Sequence, residues 1–208
     1  MTKKILLILL ITIFVFTAGA VQAERQLTGD ELDFLQTEAG RVFSAAGNVE
    51  LIYDEIRVTA RLEGIYRRYN GEIEFRDNVE IFYNDYTARA DELTGNIEEE
   101  FYKLKGNAAI EGAESHIEAD LIELYQSEQR VEAEGSVYLK YQDFWAEADQ
   151  AVFYLEREFV ELRGNVKGER NGEKFSSDSA EINQKTEEII LKGQAKLSLP
   201  AEEDQDDN

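Results

Sequence analysis

Alternate residues along most of this 208-residue chain are apolar. A period of two belongs to strands, whose successive side chains point to opposite faces. The clearest runs are Phe43, Ala45, Gly47, Val49, Leu51, Tyr53 and Val131, Ala133, Gly135, Val137, Leu139, Tyr141. Ile73, Phe75, Asp77, Val79, Ile81, Tyr83 has the same form. Intervening positions such as Glu50, Glu80, Lys167 and Lys196 are mostly polar. The pattern predicts an all-β chain with one dry face and one wet face.

The runs recur. Gly47-Asn48-Val49-Glu50-Leu51, Asp77-Asn78-Val79-Glu80-Ile81 and Gly106-Asn107-Ala108-Ala109-Ile110 are versions of one segment. Gly135-Ser136-Val137-Tyr138-Leu139, Gly164-Asn165-Val166-Lys167-Gly168 and Gly193-Gln194-Ala195-Lys196-Leu197 continue the series. Their first residues stand 30, 29, 29, 29 and 29 apart, a period that marks a repeat architecture. A second column, Ala60, Ala90, Ala119, Ala148 and Ser177, follows each head by 13 residues. Because that offset is constant, the one extra residue lies between Ala60 and Asp77, where the turn dipeptide Asn70-Gly71 offers a place for it.

Between the two columns sit dipeptides in register: Asp54-Glu55, Asn84-Asp85, Ala113-Glu114, Gln142-Asp143 and Asn171-Gly172. Asn-Gly flanked by alternating strands is the strongest short hairpin signal. Tight hairpins reverse the chain, so about six 29-residue two-strand repeats are expected to pair antiparallel. Glycines at Gly47, Gly106, Gly135, Gly164 and Gly193 weaken a strand unless a kink is wanted, and predict a bend at one height in each repeat. The aspartates that follow the small column, Asp91, Asp120, Asp149 and Asp178, read as a solvated outer ladder. Calcium loops gather several oxygen ligands in one turn, and these acids stand singly.

The first residues have a different character. Lys3 and Lys4 precede an unbroken apolar run over residues 5–16, and small residues lead to Val21-Gln22-Ala23. That is the pattern of a cleaved export signal over residues 1–23, too short for a ~20-residue membrane helix. The expected mature domain spans 24–199, and the acidic stretch 200–208 beyond the only proline, Pro200, reads as a disordered tail. With no cysteine in an exported chain, stability must come from a packed core.

A formal net charge of −22 excludes nucleic acid as a partner, because phosphates demand a basic surface. Nothing points to catalysis, a cofactor or a metal. His116 is the only histidine, its counterparts one period away are Thr87 and Trp145, and no phosphate loop or metal-ligand spacing occurs.

The recurring Gly-Asn-Val-x-Leu heads, with second strands such as Ala90-Asp91-Glu92-Leu93 and Ala119-Asp120-Leu121-Ile122, resemble the periplasmic lipopolysaccharide-transport proteins of the organic-solvent-tolerance-A type. The resemblance runs from about Leu27 to Leu199. It implies a twisted, partly open two-sheet β-sandwich, or β-jellyroll, in the periplasm. Its apolar interior would carry lipid A chains, and its modules would join end to end between the membranes. On that reading the acyl groove is lined by Val49, Leu51, Val79, Ile81, Ala108, Ile110, Val137 and Leu139, with Ala60, Ala90, Ala119 and Ala148 leaving room beside them.

An open meander also leaves an unpaired strand at each end, and both present apolar residues: Leu32 and Phe34 at one, Ile190 and Leu191 at the other. These are the expected contacts for head-to-tail self-association, or for jellyroll domains of inner- and outer-membrane transport components. Two other readings stay open: a structural β-repeat envelope protein without a lipid ligand, and a membrane-anchored component of the same system if the first segment is retained.

Overall fold

The computed structural model describes residues 25–113 and 115–199. The export signal over 1–23, the tail over 200–208 and the turn residue Glu114 lie outside the described residues.

Among the described residues, sixteen strands account for the regular structure. The first six are short: β1 Gln26–Thr28, β2 Glu31–Gln36, β3 Arg41–Ala46, β4 Val49–Tyr53, β5 Ile56–Ala60 and β6 Glu63–Arg67. Eight long ones follow: β7 Glu72–Tyr83, β8 Tyr86–Asn96, β9 Phe101–Glu111, β10 Ser115–Tyr125, β11 Arg130–Tyr141, β12 Phe144–Tyr154, β13 Phe159–Arg170 and β14 Glu173–Asn183. β15 Glu188–Lys192 and β16 Lys196–Ser198 end the series. From β7 to β14 each strand pairs antiparallel with the next; β2–β3–β6 and β1–β4–β5 lead to the two halves of β7, β15 and β16 both pair with β14, and the whole is one continuous sheet that does not close on itself.

The long strands are not straight. Each is bent at mid-length, and the ladder shifts register there, as between Arg76 and Val79 or between Glu134 and Val137. The bend divides the sheet into two facing layers. One contains β2, β3, β6, the first halves of β7, β9, β11 and β13, the second halves of β8, β10, β12 and β14, and β15. The other contains β1, β4, β5, the complementary halves and β16. The result is the β-jellyroll that the family resemblance implied.

The corner has a stereochemical cause. Gly106 and Asn107 both take left-handed φ, 76° and 48°, and Gly135-Ser136 and Gly164-Asn165 do the same. Two left-handed residues in a row turn a strand out of its plane, a conformation that suits glycine and asparagine. The neighbouring strand then locks the corner. Asp91 Oδ2 accepts from Asn107 Nδ2 at 2.9 Å, and Asp149 Oδ2 from Asn165 Nδ2 at 2.8 Å. A Cβ on Gly106, Gly135, Gly164 or Gly193 would overlap the carboxylate of Asp91, Asp120, Asp149 or Asp178. The aspartates are exposed, as expected of an outer ladder, and each also packs over the glycine of the next strand.

The first corner of the long strands reverses this chemistry. Asp77 takes the glycine position at φ 71°, and Arg61 stands where the later repeats have aspartate. Arg61 Nε and a terminal nitrogen donate to the two carboxylate oxygens of Asp77 at 2.7 and 3.0 Å.

The hairpins fall on the expected dipeptides. Tyr53 pairs with Ile56, Tyr83 with Tyr86, Tyr141 with Phe144 and Arg170 with Glu173, and Gly112 N donates to Ser115 O at 2.9 Å around the remaining one. At the other layer each turn has four residues, since Arg67 pairs with Glu72, Asn96 with Phe101 and Tyr125 with Arg130. Asn70-Gly71 belongs to such a four-residue turn and absorbs nothing. The extra residue of the first repeat sits at the corner, where Arg61 and Leu62 separate β5 from β6. A corner is already irregular and exposed, so an insertion there disturbs no ladder bond.

Candidate functional site: the space between the layers

Inward-facing side chains form rows at increasing distance from the corner. The row next to the corner is Val49, Val79, Ala108 and Val137, each 1% exposed. These residues pair directly with the small column, Val49 with Ala60, Val79 with Ala90, Ala108 with Ala119 and Val137 with Ala148. Phe75, Leu93, Leu104, Ile122 and Leu162 of the facing layer fill the same depth and are fully buried. The close approach is explicit at Gly64, where a Cβ would come within 2.6 Å of both Val49 Cγ1 and the Phe75 ring. Here the layers meet in a close-packed core, and the small residues let them meet.

The second row is Leu51, Ile81, Ile110 and Leu139, and it borders open space. Ile81 and Ile110 line a cavity of about 70 Å³ with Val58, Ala88, Leu104 and Leu124. Leu139 lines one of about 130 Å³ with Ile117, Phe144, Phe153, Val160 and Ile182. Leu51 borders a third space of about 660 Å³ at the amino-terminal end, beside Leu27, Leu32, Phe34 and Phe43. The twelve residues expected to line a groove therefore stand at two depths: eight are at the corner, and four are where the layers diverge.

The opposite wall came from the other half of each repeat. Leu93, Leu104, Leu124, Phe153, Val160 and Ile182 lie on strand halves preceding the heads or following the small column. Their alternation was visible in the sequence.

Polar groups bridge the two layers at the open side, or mouth. Tyr53 Oη donates to Tyr102 Oη at 3.1 Å. Arg25 donates to Tyr66 Oη at 2.6 Å and reaches Glu98 at 3.2 Å. Arg170 donates to the Glu187 carbonyl at 2.7 Å and to its carboxylate at 3.1 Å. Burial pushes the hydroxyl pKa of Tyr53 well up, and raises that of Tyr102 although the bond from Tyr53 opposes the rise.

Both ends of the sandwich expose what the middle buries. Leu32 and Phe34 of β2 are 40% and 72% exposed, with Phe34 edge-on to Phe43 at 5.6 Å. At the far end Leu191 faces inward and is half-buried, Ile190 points to the outer face, and Leu197 and Leu199 are exposed. His116 lies on the outer face, its Nε2 2.7 Å from Glu118 Oε1. Among the described residues no three His, Cys, Asp or Glu side chains converge as metal ligands.

No curated protein sequence matches the chain. Among solved structures the fold is similar to LptH, the LptA homologous periplasmic component of the lipopolysaccharide transport device from Pseudomonas aeruginosa. The TM-score is 0.53 at 10% identity, over 56% of this chain and 95% of that one. Residues 19–130 match the family described as LptA/(LptD N-terminal domain) LPS transport protein. With more than half its length matched, and a bent antiparallel sandwich of the same fold, the chain belongs to the LptA/LptD N-terminal-domain family of LPS transport proteins.

Proposed function

We propose that the protein is a non-catalytic periplasmic carrier that shields lipopolysaccharide acyl chains between the inner and outer membranes. The observation that carries the reading is the divergence of two apolar walls above a packed corner. It leaves hydrocarbon-lined space at the mouth, bordered by Ile81, Ile110 and Leu139. Burial of each methylene there contributes about 0.8 kcal/mol. Twelve strand legs per layer at ~4.8 Å spacing make the interior roughly 50 Å long.

The two ends suit a bridge. β2 runs away from the corner at Asp30, whereas β15 runs toward the corner at Gly193. β1 and β16 have the opposite senses in the other layer. Stacking one copy behind another therefore sets antiparallel edges together in both layers at once, and covers Phe34 and Leu197. Such a contact is heterologous and extends rather than closes. Jellyroll domains of membrane-bound transport components would dock through the same edges.

Photo-crosslinkers placed one at a time in cells test the carrier reading. Those at Ile81 and Leu139 are expected to capture lipopolysaccharide, and those at the outward Glu50 and Glu80 are not. Equal labelling of both faces, or of neither, leaves a structural envelope protein as the better account.

A further inference from the structure

The first and last strands meet the mouth at the same height. β1 starts there, with Gln26 paired to Ile52, five residues past the head Gly47. β16 ends there, with Ser198 paired to Lys174, whose other partner Glu169 stands five residues past the head Gly164. Both strands belong to one layer, at its opposite ends. In the end-to-end stack proposed above, β16 of one copy lies beside β1 of the next. The chain beyond Leu199 then emerges beside Arg25 of that next copy.

The two partners so brought together are opposite in charge. Glu202, Glu203, Asp204, Asp206 and Asp207 all fall within eight residues of Leu199. At the amino-terminal end of the mouth stand Arg25, Arg41 and Arg68, all exposed. Arg41 opens β3 and Arg68 enters the turn after β6, and Arg68 N donates to Arg41 O at 3.0 Å. Arg25 and Arg68 border the space of about 660 Å³ at that end, which Asp33 and Asp54 also border. Most arginines of this chain are held by acids, as Arg57 is by Glu50, Arg76 by Glu63 and Arg163 by Glu161. Among the described residues Arg41 and Arg68 pair with none, although the chain has 44 acids and 22 bases.

The arginines of the same copy are out of reach. Eight residues extend to about 28 Å at most, and the sandwich is roughly 50 Å long. The lysines nearest the tail in its own copy, Lys174 and Lys196, point to the outer face, because Phe175, paired with Leu197, is the inward residue.

We propose that the acidic tail of each copy docks on Arg25, Arg41 and Arg68 of the next copy, as an ionic latch across the joint. The proposal rests on the end-to-end stacking above. Guanidinium–carboxylate pairs fix orientation as well as adding attraction, so the latch favours this contact over every other approach of two acidic surfaces.

Sedimentation of the mature chain at one fixed salt concentration tests the latch. Glu202→Gln, Glu203→Gln, Asp204→Asn, Asp206→Asn and Asp207→Asn together neutralise the tail. If charge acted only as repulsion between copies, that variant would associate more tightly than the wild type. The latch predicts the opposite sign, a dissociation constant raised about tenfold by the loss of a few exposed ion pairs. Arg41→Gln with Arg68→Gln should weaken association as much, and should cost nothing more when added to the neutral tail. Changing the five tail acids to Lys together with Arg41→Glu and Arg68→Glu should restore it. An unchanged urea midpoint shows that each variant has folded. A neutral tail that associates as well as or better than the wild type, or losses that simply add, overturns the latch and leaves the stacking standing. Arginine variants that associate normally but capture less lipopolysaccharide assign the rim to an anionic head group, and also overturn it. A wild-type chain that never associates overturns latch and stacking together.

Discussion

Tyr53 and Tyr102, 49 residues apart in sequence, join their hydroxyls at 3.1 Å across the mouth of the sandwich, both nearly buried. One comes from the layer of the two-residue hairpins and the other from the layer of the four-residue turns. The bond therefore exists only when both layers have closed on the first cavity. Tyr53→Phe leaves the Tyr102 hydroxyl without this partner and is expected to destabilise by about 1–2 kcal/mol in urea unfolding.

The same pair sets an alkaline limit. Burial raises both hydroxyl pKa values in the folded state, Tyr53 the more strongly. The unfolded chain then releases these protons first, near pH 10, so stability holds below that value and falls as pH rises through and beyond it. The urea midpoint of the wild-type chain should drop above about pH 10, and Tyr53→Phe should flatten the drop.

The natural exchange at the first corner of the long strands supplies a sharper test of the corner lock. Gly135→Asp alone sets a side chain against Asp120, at a left-handed position, and should destabilise by more than ~2 kcal/mol. Gly135→Asp with Asp120→Arg recreates the Asp77–Arg61 pair and should recover most of the loss. Equal stability of the single and double variants would show that the carboxylate contact does not govern the corner.

At the last hairpin Asn171 and Gly172 both have positive φ, 51° and 82°, and nothing crowds Gly172. The requirement is purely one of backbone conformation. Gly172→Val should therefore destabilise by more than ~1 kcal/mol, read from the denaturant midpoint.

The edges predict assembly. Sedimentation should show concentration-dependent association that strengthens with salt, because a net charge of −22 repels copies at low ionic strength. Leu32→Pro and Ile190→Pro remove donors from the edge strands β2 and β15 and should weaken it. Proline variants that associate and transport lipid as the wild type does would rule these edges out as the joint.

Strand period, repeat length, the two-residue hairpins and the height of the bend were all legible in the sequence. Each is a local property: alternation follows from the pleat, Asn171-Gly172 from turn stereochemistry, and the glycine column from left-handed φ. The all-β antiparallel class followed from their repetition, and the jellyroll from the family resemblance that the repeated heads carry. Only the tertiary structure decided how far the bend goes, since two consecutive left-handed residues fold each strand into two layers rather than curving one sheet. It also decided that Asp91 packs over Gly106, a contact between strands 15 residues apart. Above all it separated Val49, Val79, Ala108 and Val137 at the corner from Ile81, Ile110 and Leu139 nearer the mouth. In sequence these are neighbours two positions apart with the same alternation. Their difference is distance from the line where the layers meet, and that depth is set by the facing wall of Phe75, Leu93 and Leu104, which no local pattern contains.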